Sequence, residues 1–282
     1  MKISGQHLVH PIFLTLLIFI LLGVLSTGCP PKVVRVTVSE EDMVRANNAA
    51  NEADIAFARK DYYAALIKYL EAVQWNPNSN VYFNRLGITY SLLQFYDQAE
   101  TAFQRSIILN SKFPYAFNNL GSVFFAQRNY KKAEKNFKKA IHLKKDEASF
   151  HMNLGSLYLE KKKYDKAMAE WRKGLTLDPD VFDKTSSVSL TGSGRRQSPM
   201  ERYFLLARIF ASKGNAESAV KNLKLALTHG FKDINAIKYE PDFKPIQQDP
   251  DFIEFMKNAP LLIKLRANVG LPENTSSAAP TN

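Results

Sequence analysis

The chain has 282 residues, 45% of them hydrophobic and 23% charged, with a formal net charge of +11 and a single cysteine. That is apolar material for a sizeable core and length for about two domains, while one cysteine excludes an internal disulfide. Such a basic balance would point to nucleic acid in a cytosolic protein, and the N-terminus argues against that location.

Met1 and Lys2 open the chain, Ile12 to Leu25 is almost wholly apolar, and no acid precedes Glu40. So short a stretch, ending in Leu25-Ser26-Thr27-Gly28-Cys29, reads as a secretory signal over 1–28 rather than a spanning helix. The cysteine behind those small residues resembles the bacterial lipobox. The resemblance implies that Cys29 is acylated, as by palmitate, and becomes the first residue of the mature protein. The leucine usual three places before the cysteine is Ser26 here, with Leu25 one earlier. The other reading is an uncleaved N-terminal anchor with an incidental Cys29. Either places the remainder at a bacterial membrane, facing the periplasm or cell exterior. Loss of 1–28 removes one cation, Lys2, leaving 37 basic against 27 acidic residues and a charge of +10. That suits anionic headgroups or an acidic protein partner. Residues 29–45 read as an extended tether: after Pro30-Pro31, Lys32 to Val38 alternate valine with polar residues, a pattern that also suits a short strand.

From Ala46 the chain repeats. Leu-Gly pairs end at Gly87, Gly121 and Gly155; Tyr96, Tyr130 and Tyr164 follow at the same 34-residue interval. Ala99, Ala133 and Ala167 keep it, as do Phe103, Phe137 and Trp171. Phe117, Leu120, Gly121 and Phe124 share one face of a first helix, and Ala133, Phe137 and Ala140 one face of a second. Glycine and alanine are expected where two helices cross closely, with the aromatic filling the space beside them. A degenerate first copy carries Ala53 at the glycine position, then Tyr62, Ala65, Tyr69 and Ala72. Copies two to four begin near Asn80, Pro114 and Ala148, and Asp178-Pro179 closes the fourth.

This pattern resembles the tetratricopeptide repeat, a helix–turn–helix unit. The resemblance implies an all-α fold: a right-handed superhelical solenoid of about five such units with a C-terminal helical cap, each unit burying its apolar face against its neighbours. Repeats 1–4 occupy 46–181. Residues 182–199, rich in Ser and Gly, read as a flexible insert; Gly192-Ser193-Gly194 before two arginines lacks the strand and helix of a phosphate loop. Repeat 5 spans 200–231 on Ala207, Gly214, Ala219, Leu223 and Ala226. Residues 232–267, with paired Pro-Asp-Phe at 241–243 and 250–252, read as the cap. The tail, 268–282, is polar and expected to be disordered.

Nothing in the sequence points to catalysis. The histidines at 7, 10, 142, 151 and 229 lack ligand spacing, and His151 takes a packing position. There is no nucleophile elbow or Walker loop, and no cofactor or metal is expected. Recognition remains. In the resembled family the first helices line a concave groove, which places Asn84, Arg85, Ile88, Tyr115, Asn118, Asn119, Ser122, Phe125, Met152, Asn153 and Ser156 along it. An asparagine amide has both donor and acceptor and can pair with a peptide group. On a second helix, Lys131, Lys132, Lys135, Lys138 and Lys139 form a basic outer face able to meet an anionic surface. The expected function is a non-catalytic protein–protein interaction scaffold of the bacterial cell envelope, membrane-held through Cys29 and binding extended or helical segments of envelope proteins, with no nucleic acid. The alternatives are a pilotin-like outer-membrane assembly factor for type IV pili and a peptidoglycan- or solute-binding lipoprotein.

Overall fold

A computed structural model describes residues 35–181 and 199–268. The expected signal (1–28), Cys29, the start of the tether, residues 182–198 of the insert and residues 269–282 of the tail lie outside the described residues. Of the described residues, 38–268 form one unit.

That unit is helical throughout its described length. The elements are α1 Glu40–Ala58, α2 Tyr62–Trp75, α3 Asn80–Leu92, α4 Tyr96–Leu109, α5 Pro114–Ala126, α6 Tyr130–Leu143, α7 Ala148–Glu160 and α8 Tyr164–Leu177. After the insert come α9 Pro199–Ser212, α10 Ala216–Thr228, α11 Ile234–Tyr239, a 3₁₀ turn Pro241–Ile246 and α12 Pro250–Asn268. Helix α1 starts six residues inside the expected tether. Ser39 accepts the Asp42 N–H at 3.1 Å, and Glu40, Glu41 and Asp42 place negative charge in the first turn, where the helix dipole favours it.

Consecutive helices pair as hairpins: α1 with α2, α3 with α4, α5 with α6, α7 with α8, and α9 with α10. One device turns the chain in each. The first helix ends on a left-handed residue, Lys60, Gln94, Arg128, Lys162 or Gly214, with φ between 54° and 75°. The following N–H then reaches back to a carbonyl five residues earlier, as from Asn129 to Phe124 at 2.8 Å. This satisfies carbonyls the helix end would otherwise strand.

Inside the hairpins the repeating columns are packed as rings on glycines. Phe103, Phe137 and Trp171 are fully buried. A Cβ at Gly87 would meet the Phe103 ring at 2.7 Å, one at Gly121 the Phe137 ring at 2.7 Å, and one at Gly155 the Trp171 indole at 2.3 Å. The glycines are therefore small chiefly to admit an aromatic ring, more than to let two backbones touch. A single apolar cluster runs from Ala99 and Phe103 in α4 to Ile209 in α9, so stacked hairpins share a core none could bury alone. Past α10, Phe243, Phe252 and Phe255 are buried with Leu223 and Ala226, and Phe204 stacks on Phe231 with centroids 4.4 Å apart. These rings close the end of the array against α9 and α10.

Candidate functional site

Successive first helices touch each other, α3 with α5 and α5 with α7, more closely than successive second helices do. The first-helix side is therefore the inner side of the stack. It carries a polar seam along its centre. Asn153 Nδ2 donates to Asn118 Oδ1 at 2.9 Å, Asn118 Nδ2 to Asn119 Oδ1 at 3.4 Å, and Asn119 Nδ2 to Asn84 Oδ1 at 3.0 Å. Asn84, Asn118 and Asn119 are all buried. Four amides thus join three hairpins. Each amide has two donor hydrogens and two acceptor lone pairs, so every link in this chain keeps hydrogen-bonding capacity beyond the bonds it makes to its neighbours.

The seam extends toward the first hairpin in charged form. Arg85 pairs with Asp54, and the Tyr69 hydroxyl donates to the same carboxylate. Burial first, then that hydrogen bond, pushes the Tyr69 phenol well above its ordinary value. Tyr82 donates to Asn47 across the α1–α3 contact. The residues expected along the groove are thus treated unequally. Ser122 is buried and donates to the Asn118 carbonyl at 3.2 Å. Phe125 and Met152 are buried; Met152 accepts the Trp171 indole N–H at 3.1 Å on its carbonyl. Arg85, Ile88, Asn153 and Ser156 are half-buried, and Tyr115 is exposed. Tyr115 is held in place: its hydroxyl donates to Glu147 at 3.2 Å and accepts from Lys144 at 2.7 Å, with the Phe150 ring 5.5 Å away. Val81, exposed, sits one 34-residue period before Tyr115 and belongs with this set. Stepping back one period from Tyr115 would have found it.

The lysines of α6 lie elsewhere. Lys131, Lys132, Lys135, Lys138 and Lys139 are all exposed on the second helix. Lys132 lies over the Phe124 ring at 4.8 Å, and Lys138 pairs with Glu134 at 2.8 Å.

Among the described residues no group of histidine, cysteine and acidic side chains is arranged to hold a metal ion, and no helix there is long and apolar enough to cross a membrane. Comparison with known proteins points one way. A family model of the tetratricopeptide repeat matches residues 85–146 and 119–181, and a second model of that repeat matches 201–228. The small glutamine-rich tetratricopeptide repeat-containing protein 2 of Mycosarcoma maydis is 33% identical over 75 residues, 27% of this chain and 21% of that protein. The chain therefore spans about a fifth of that relative's length. Among solved structures, MamA is 22% identical with a TM-score of 0.46, covering 70% of this chain and 96% of the other. YrrB, described as a TPR protein with an unusual peptide-binding site, is 16% identical with a TM-score of 0.44, covering 78% and 93%.

Proposed function

The chain belongs to the tetratricopeptide repeat family, and from that premise we propose that it is a non-catalytic scaffold that binds segments of partner proteins on its inner face. The observation that carries this reading is the amide seam from Asn84 to Asn153. Fixed amides with unused donors and acceptors match the periodic N–H and C=O groups of an extended peptide. Val81, Ile88 and Tyr115 beside them supply apolar area. The partner belongs to the bacterial cell envelope, and the scaffold is held at the membrane through acylated Cys29, the reading that the run before the cysteine supports.

A photo-crosslinking amino acid placed at Ile88 or Tyr115, with one at Lys139 as control, tests the binding face in intact envelopes. A discrete protein adduct at 88 and 115 and none at 139 is expected. Adducts at 139 alone would move the site to the outer face, and adducts of sugar polymer would favour a peptidoglycan-binding role. Labelled fatty acid tests the anchor separately. Wild type should take up label and Cys29→Ser should not; an unlabelled wild type overturns the acylation.

A further inference from the structure

The outer side carries a recess of its own. Between α6 and α8 lies an open cleft of about 660 Å³, lined by His142 and Lys145 from one helix and its C-terminal turn and by Arg172 and Lys173 from the other, together with the apolar Ile141 and Leu177. No acidic side chain lines it. The nearby acids are engaged in structural pairs. Glu170 meets Lys173 at 2.8 Å and His151 Nδ1 at 2.7 Å, and Asp242 is shared by Arg172 and Arg208, each at 3.0 Å. Burial pushes the Glu170 carboxyl up, but hydrogen bonds from His151 and Lys173 outweigh that and hold it below its usual range. Arg172 keeps a buried Nε–H with no hydrogen-bond partner. His142 and Lys145 are exposed, and neither side chain forms an ion pair among the described residues.

We infer that this cleft binds an acidic peptide segment of a partner protein, lying between the second helices of the third and fourth hairpins. Its carboxylates meet Lys145 and Arg172, and an apolar side chain rests against Ile141 and Leu177. Surplus positive charge sets the sign of the ligand. The recess selects its form: a flat headgroup layer touches only the rim, whereas a single chain follows the cleft and reaches the apolar residues. This surface is formed mainly by second helices, with His151 of α7 also lining it, and it is separate from the amide seam, so its occupancy does not depend on that of the inner face.

A fluorescent peptide of alternating glutamate and leucine, titrated into the full chain, tests this. Saturable binding is expected, weakened on the order of tenfold by Lys145→Glu and little by Lys131→Glu, a matched charge reversal on α6 outside the cleft. Replacing the peptide's leucines by serine should also weaken it. Equal weakening by both lysine variants would mean a diffuse field and overturn the site. So would absence of saturable binding by wild type. Binding only to phosphatidylglycerol vesicles, lost in Lys145→Glu, would assign the cleft to lipid and overturn the peptide.

Discussion

A methyl group added at Gly155 would lie 2.3 Å from Trp171 Cδ1 and 3.1 Å from the Ala167 carbonyl oxygen. Two effects oppose each other there. Alanine gains about 1 kcal/mol over glycine in a helix interior, while overpacking a filled core costs about 1–3 kcal/mol. Trp171 cannot swing aside without losing its hydrogen bond to Met152, so overpacking wins at this position. Gly155→Ala should lower the urea midpoint, and by more than Gly87→Ala, where the three nearest atoms all belong to the Phe103 ring, at 2.7–2.9 Å. Equal shifts would show that the indole is free to move. The turn residues predict the opposite sign. Arg128 holds φ 60° and is exposed. Left-handed backbone costs a side-chain-bearing residue about 1–2 kcal/mol, against about 0.5–1 kcal/mol for ordering glycine. Arg128→Gly should therefore stabilise the chain, on the order of 0.5 kcal/mol, and a lowered melting temperature would contradict it.

At the scale of elements, one carboxylate pins α6 to the next hairpin. Glu134 accepts from Lys138 at 2.8 Å, from Lys161 at 2.9 Å and from Tyr158 at 3.1 Å. Burial pushes its carboxyl up, but those three donors outweigh the effect and hold it at about 2. The folded value lies below the ordinary 4.5, so the contribution is complete above that pH and lost as pH falls toward about 2. Acid unfolding of Glu134→Gln should be flatter than wild type across that window; superimposable curves would remove the pin. The sequence made some of these elements legible and hid others. Gly121, Ala133 and Phe137 announce their hairpin because core packing recurs at the repeat period. The amide seam also recurs at the repeat period, but its bonds run between two columns rather than along one. Asn119 aligns with Asn153 at 34 residues, yet each bonds the asparagine 35 before it, Asn84 and Asn118. A comparison of columns cannot see a bond that crosses between them. The expectation of asparagines facing a peptide therefore missed that they first face one another. The outer cleft was hidden for a related reason, since Lys145 and Arg172 meet only through the stacking of two hairpins.

At the scale of the whole molecule, the elements on either side of the insert between Val181 and Pro199 are joined by more than the chain. Trp171, Leu175 and Val181 share a cluster with Leu205, Leu206 and Ile209, while Arg172 and Arg208 both hold Asp242 beyond it. Residues 1–181 and 199–282, made as two separate polypeptides, should therefore find each other and co-purify. Failure to associate would mean that the covalent link, and not the shared core, keeps the fifth hairpin in place. If they do assemble, peptide continuity at this seam is dispensable to the fold. Its length and composition are then free of structural demand, and the gene could be divided or extended there without rewriting either half.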